Sequence, residues 1–248
     1  MRLIARLDIK PPNVVKPIHF EGLRIMGIPA EMAKRYYEDG ADEITYIDIV
    51  SSLYSRPIQF DLAKDVSKDI FVPFAVGGGI GEVEHVKQLI HNGADKVIVN
   101  TNAIHRPELI SEIAEKFGSQ AVVVHIQAKR WLDSYECYTD CGRNRTGLDV
   151  VTWAKQAEEL EAGEILLSVV DNDGRRRGYD LDIAEQVINA VNIPVVVGSG
   201  GWNLDHVLDL AKLNPSGIAV ASMLHYEKHR IREIKQHLID NGIELHNT

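Results

Sequence analysis

The chain repeats itself at half its own length, and this constrains its fold more than any other feature. The stretch Ile70-Phe71-Val72-Pro73-Phe74-Ala75-Val76-Gly77-Gly78-Gly79 returns as Val191-Asn192-Ile193-Pro194-Val195-Val196-Val197-Gly198-Ser199-Gly200. Ala94-Asp95-Lys96-Val97-Ile98-Val99-Asn100-Thr101 returns as Pro215-Ser216-Gly217-Ile218-Ala219-Val220-Ala221-Ser222, and Leu7-Asp8-Ile9-Lys10 aligns with Ile126-Gln127-Ala128-Lys129. Solenoids repeat every 20–50 residues or so. A period this long describes two similar halves, roughly 1–120 and 121–248.

The halves are built alike. Short β-branched segments at Leu3–Leu7, Glu43–Ile49, Val72–Val76, Lys96–Val99, Ala121–Ile126, Glu164–Val169, Val195–Val197 and Gly217–Val220 predict eight strands. Between them apolar residues recur at helical spacing: Val83, Val86, Leu89 and Ile90; Leu109, Ile113 and Phe117; Val150, Trp153, Ala157 and Leu160; finally Ile231, Ile234 and Leu238. Eight strand–helix units without a Pro/Ser-rich linker mean a parallel sheet covered by helices. Eight equal units favour closure into a barrel over an open doubly wound sheet. The expectation is an α/β protein, a single (β/α)8 barrel domain of two half-barrels. Its 248 residues match the ~250 typical of that fold.

Several function classes fall away. The longest apolar runs, such as Ala121–Val124 and Val195–Val197, are too short to span a membrane. The first residues, Met1 to Asp8, lack a secretory leader's apolar stretch, so a cytoplasmic protein is expected. Thirty-six acidic against 27 basic side chains leave a formal charge of -9, which argues against sequence-independent nucleic-acid binding. It does not argue against a phosphorylated small molecule, which backbone N–H groups can hold. Cys137 and Cys141 have no second ligand pair and read as free thiols in a polar hairpin. Neither a metal nor a cofactor is expected.

Polar and glycine residues gather where each strand ends: Asp8, Asp48, Gly77-Gly78-Gly79, Asn100-Thr101, Gln127, Asp171 to Gly174, Ser199-Gly200-Gly201 and Ser222. Turn chemistry accounts for any one of these. Eight in succession match the end of a (β/α)8 barrel that carries the active site. Gly79 with Asn100 and Thr101 makes one candidate anion site; Gly174, Gly200, Ala221 and Ser222 make its counterpart. Two such mouths suggest a substrate with two phosphate ends. Asp8 is placed to act as general acid or base, or else to cap a loop.

At this point the residues carry a resemblance. The chain resembles the HisF family, cyclase subunits of imidazole glycerol phosphate synthase, over essentially its whole length. The matching stretches include Leu7-Asp8-Ile9-Lys10 with Val14-Val15-Lys16, Phe20-Glu21-Gly22-Leu23-Arg24, Val76-Gly77-Gly78-Gly79-Ile80, Gly93-Ala94-Asp95-Lys96-Val97, Phe117-Gly118-Ser119-Gln120, Gly163-Glu164-Ile165-Leu166-Leu167, Asp173-Gly174 with Gly178-Tyr179-Asp180, and Ala221-Ser222 with His225. The resemblance implies a lyase of histidine biosynthesis. It takes ammonia from a separate glutaminase subunit and converts a bisphosphorylated ribulosyl aminoimidazole carboxamide to imidazole glycerol phosphate and aminoimidazole carboxamide ribotide. Asp8 falls on one of the family's two catalytic aspartates and Lys16 on the lysine of its first mobile loop. Gly79, Asn100 and Thr101 match one phosphate site; Asp173, Gly174, Gly200, Ala221 and Ser222 match the other. Arg2, Glu43, Lys96 and Glu164, at the starts of alternate strands, match the charged ring at the ammonia entrance. Without the family they read as a structural salt-bridge layer. Asp95 and Gln120 match positions facing the glutaminase; Asp95 alone reads as a solvated turn carboxylate.

Three departures stand out. The second catalytic aspartate is Gln127 here, and a carboxamide can orient a substrate but cannot transfer a proton. Gly198-Ser199-Gly200-Gly201-Trp202 replaces the usual Ser-Gly-Gly-Ala-Gly and brings an indole to the mouth. Arg175-Arg176-Arg177 replaces a more neutral loop, either to grip an anion or as a solvated tip. Such changes also fit a paralogous branch associated with surface-polysaccharide genes, in which a relaxed barrel conducts ammonia for amidination of a sugar.

Overall fold

The computed structural model describes residues 1–18, 21–54, 56 and 58–246, with the side chains of 17, 18 and 21 left aside. Phe20, in one of the matching stretches, lies outside the described residues. Among the described residues twelve strands occur in chain order: β1 (Arg2–Lys10), β2 (Asn13–Ile18), β3 (Glu21–Gly27), β4 (Glu43–Asp48), β5 (Phe74–Gly77), β6 (Lys96–Val99), β7 (Val122–Trp131), β8 (Ser134–Thr139), β9 (Asn144–Asp149), β10 (Glu164–Val169), β11 (Val195–Gly198) and β12 (Gly217–Val220). Eight of them, in the order β1-β4-β5-β6-β7-β10-β11-β12, pair in parallel, and β12 pairs again with β1. The sheet is a closed (β/α)8 barrel. All eight expected strands are its staves.

Closure explains why the staves read as apolar runs, for each strand has an inner and an outer face and neither meets water. β4 and β10 are buried at every residue. Along β1, Leu3, Ala5, Leu7 and Ile9 pack outward against the helices, while Ile4 joins Ala75, Ile98, Val123, Leu166, Val196 and Ala219 inside the barrel. The helices present matching stripes. Val150–Glu159 turns Val150, Trp153, Ala154 and Ala157 inward, and its start is fixed by the Asp149 carboxylate accepting the Thr152 N–H at 2.8 Å. The closing helix, Ile231–Asp240, buries Ile231, Ile234 and Leu238 at the expected spacing.

One feature exceeds the expectation. β1 and β7, the first staves of the two halves, run past the rim and fold back as antiparallel hairpins. β2 pairs with β1 and β3, and β8 with β7 and β9. Lys16, expected on a loop, therefore sits on β2 beside Asp8, whose register partner is Val15. Cys137 and Cys141 lie in the second hairpin as free thiols, but buried rather than in polar surroundings. Among the described residues no helix is long and apolar enough to cross a membrane.

Candidate functional site

The alternation of β1 places Arg6 and Asp8 on the same face, toward the barrel interior. Asp8 is wholly buried, which alone raises a carboxyl pKa, yet Arg6 and Lys16 outweigh that and hold it at about 2. The Arg6 Nε donates to Asp8 Oδ1 at 2.8 Å, and the Lys16 Nζ reaches Asp8 Oδ2 at 3.4 Å and Asp173 Oδ1 at 2.8 Å. Lys16 is pushed the opposite way: burial lowers its pKa, but the Asp173 and Asp8 carboxylates raise it further. Asp8, Lys16 and Asp173, named separately from the sequence, thus form one buried ion network.

The network continues through residues the sequence reading missed. Arg6 donates a second bond, from Nη1 to Ser168 Oγ at 2.7 Å, and Ser168 Oγ lies 3.0 Å from His125 Nε2. Burial and then the Arg6 charge press the His125 pKa down to about 3, so its imidazole is neutral. A sequence signal existed. Arg6 and His125 each stand two residues before an inward strand-end residue, Asp8 and Gln127, in segments otherwise apolar on both faces.

Two cavities open on opposite sides of this polar chain. The first is lined by Gly78, Gly79, Asn100, Thr101, His125 and Gln127, together with Asp48 and Cys141. Asp48 accepts the Val50 and Ser51 N–H groups through Oδ1, at 2.9 and 3.1 Å, and its buried Oδ2 has no partner among the described residues. Burial raises its pKa. The second cavity is lined by Arg6, Lys16, Asp173, Ser199, Gly200, Ala221 and Ser222. Both are hydroxyl- and amide-rich, as the repeat requires. Gly174 does not line the second; at φ 69° it shapes the turn after Asp173. Gly200, at φ 106°, brings its Cα so close to the neighbouring loop that an added Cβ would lie 2.1 Å from the Gly178 carbonyl oxygen. Gly200→Ala is therefore expected to shift the loop at a cost of about 1–3 kcal/mol. Titration with inorganic phosphate should show binding in that cavity at least roughly tenfold weaker, with the first cavity unchanged.

Gln127 accepts the Gly142 N–H at 2.8 Å through Oε1, so its carboxamide fastens the second hairpin to the mouth. The three arginines are exposed, and Arg176 lies over the Trp202 ring, 3.8 Å from its centroid, and over Tyr226 at 4.8 Å. The indole is thus paired with the basic loop at the rim.

At the other end of the barrel Arg2, Glu43, Lys96 and Glu164 close a four-membered ring. Arg2 meets Glu43 at 2.5 Å and Glu164 at 2.9 Å; Lys96 meets them at 2.9 and 3.0 Å. The four come from β1, β4, β6 and β10, which corrects the expectation of strictly alternate strands, because β1 and β4 are neighbours. Long side chains bridge the uneven spacing. Asp95 and Gln120 are exposed near this end. Asp95 Oδ2 also accepts the Phe74 N–H at 2.8 Å, which ties the start of β5, and Gln120 donates to the Phe117 carbonyl at 3.1 Å. Among the described residues no group of three or more His, Cys, Asp or Glu is arranged to hold a metal ion.

A closed barrel with two polar cavities at one end and an ion ring at the other defines a class, and comparison with known proteins identifies it. The profile of the family described as "Histidine biosynthesis protein" matches residues 2–230, and the chain belongs to that family. Within it, the chain is 46% identical over 244 residues to imidazole glycerol phosphate synthase subunit HisF of Pyrococcus furiosus, covering 98% of this chain and 97% of that protein. It is 50% identical over 206 residues to the HisF subunit of Legionella pneumophila, covering 83% and 97%, and 43% identical over 244 residues to that of Thermococcus onnurineus, covering 98% and 97%.

Proposed function

We propose that the chain acts as the cyclase–lyase subunit of an imidazole glycerol phosphate synthase in histidine biosynthesis, as one domain of fused half-barrels in the cytoplasm. It would take up a bisphosphorylated ribulosyl aminoimidazole carboxamide and ammonia and release imidazole glycerol phosphate and aminoimidazole carboxamide ribotide. The observation that carries this reading is the pair of polar cavities at one end of the barrel, one glycine- and amide-lined, the other served by Lys16, which also reaches Asp8. Each cavity takes one phosphate, which strings the reacting carbons across Asp8. A glutaminase subunit docks on the end bearing Asp95 and Gln120 and delivers ammonia through the ring of Arg2, Glu43, Lys96 and Glu164. The test is turnover by the purified protein with an ammonium salt, alongside rescue of a histidine-requiring strain that lacks its own cyclase subunit.

Gln127 favours a second reading, in which the barrel keeps its partner and conducts ammonia for amidination of a surface-polysaccharide sugar. Its carboxamide is committed to the Gly142 N–H and cannot move a proton. Under the first reading the wild-type chain turns over, and Gln127→Asp raises kcat by roughly tenfold or more by restoring a second proton-transfer group. Turnover absent in the wild type but present in Gln127→Asp selects the second reading.

A further inference from the structure

The guanidinium of Arg6 is out of keeping with its position. It sits inside the barrel, 4% exposed, on the face of β1 that also carries the apolar Ile4. Two of its side-chain bonds differ in quality: one goes to the Asp8 carboxylate and one to the neutral Ser168 hydroxyl. It also lines the cavity that Lys16, Gly200 and Ser222 share.

The charges around that cavity decide what it can hold. Arg6 and Lys16 face Asp8 and Asp173, two cations against two anions, all buried. A phosphate monoester brings about -1.5 to -2. With Arg6 the occupied cluster carries about two net negative charges; without it, about three. In a buried setting each unmatched unit charge is costly. Backbone N–H groups and hydroxyls solvate an anion but do not change that count. Lys16 cannot make good the difference alone, because it already bridges two carboxylates.

The exchange needed is local. A phosphate oxygen is a stronger acceptor for an N–H of arginine than a neutral hydroxyl is. The guanidinium's donors form a rigid fork, so Arg6 can keep Asp8 on Nε while another edge serves a phosphate. Ser168 keeps a neighbour when released, since His125 Nε2 is 3.0 Å away.

We propose that Arg6 is a phosphate ligand of the Gly200–Ser222 cavity, which gives up Ser168 to bind a dianionic phosphomonoester end while still holding Asp8 in place beside it. This deepens the proposed function, because it rests on that cavity taking one end of a bisphosphate. It also makes Arg6 a specificity-determining residue: the cavity selects a phosphate over a neutral hydroxymethyl end.

The test is two-site calorimetric titration of the intact protein with inorganic phosphate. Arg6→Met is expected to weaken phosphate in the Gly200 cavity by roughly tenfold or more, the usual scale for losing a charge-assisted bond, with the Gly79 cavity unchanged. Arg6→Lys should recover part of the loss. Ser168→Ala keeps the charge and removes the competing acceptor, so it should tighten binding a few-fold; this arm keeps the proposal falsifiable if Arg6→Met does not fold. In a Gly200→Ala background, Arg6→Met should have little further effect, since both act on one subsite. Wild-type affinity in Arg6→Met, or weaker phosphate in Ser168→Ala, overturns the proposal. Arg6-dependent phosphate binding without ammonium-driven turnover overturns the cyclase reading and leaves Arg6 assigned. Turnover with Arg6-independent binding does the reverse.

Discussion

Replacing Asp8 by asparagine is expected to lower ammonium-driven turnover by about 10²–10⁴-fold. The two side chains have the same shape, so what is lost is the ability to carry a proton. Gln127 offers no substitute, because its carboxamide is likewise proton-inert and is tied to Gly142. The neighbourhood fixes how the loss should divide. Asp8→Asn leaves Arg6 and Lys16 facing Asp173 alone, one positive charge in excess, which favours a phosphorylated substrate. kcat should therefore collapse while KM stays level or falls. A purely structural Asp8 would produce a different pattern: a lower unfolding midpoint, since removing one member of a buried ion cluster costs about 3–5 kcal/mol, with kcat near wild type in the folded fraction. Steady-state kinetics together with denaturant unfolding separate the two.

The second large effect is on stability in mild acid. His125 and His225 are both held near a pKa of about 3, in each case by burial first and then by nearby cations, Arg6 for His125 and Lys16 for His225. Both are neutral in the folded chain, whereas in the unfolded chain they take up protons below about 6.5. Between those values the unfolded state binds more protons, so stability falls as pH drops from about 6.5 toward 3. Each histidine contributes a slope of roughly 1.4 kcal/mol per pH unit. Asp8 adds to the loss only lower down, as pH falls from its unfolded value toward about 2. Glu43 and Asp48 act in the opposite sense, because burial raises their pKa values and protonation then favours the fold. Urea midpoints measured from pH 7 to 4 should fall steeply, and His125→Gln should remove about half of the slope between pH 6 and 5. A His125→Gln slope equal to that of the wild type over that range would show that the His125 imidazole is not held neutral.

The staves were legible because burial on both sides writes segments such as Val195–Val197 or Gly217–Val220 as plain apolar runs. The mouth was legible because two halves spell it alike: Gly79 with Asn100 and Thr101, then Gly200 with Ala221 and Ser222. The hairpins were not. β9 is largely exposed, and β7 leaves the barrel through Arg130 and Trp131, so the second hairpin does not offer the hydrophobic period of a barrel strand. The Arg6–Ser168–His125 chain was hidden for another reason. Its contacts join residues 162 and 43 positions apart, and only closure of the barrel gives them a common interior.

Among the described residues each hairpin pairs, strand to strand, with a single stave, β2 with β1 and β8 with β7. Lys16 and Gly142 can therefore be exchanged, lengthened past or lost without disturbing the register of the eight-strand wall. The wall is held by every neighbour it touches, so the chemistry carried on its rim can change while the shape beneath it stays the same.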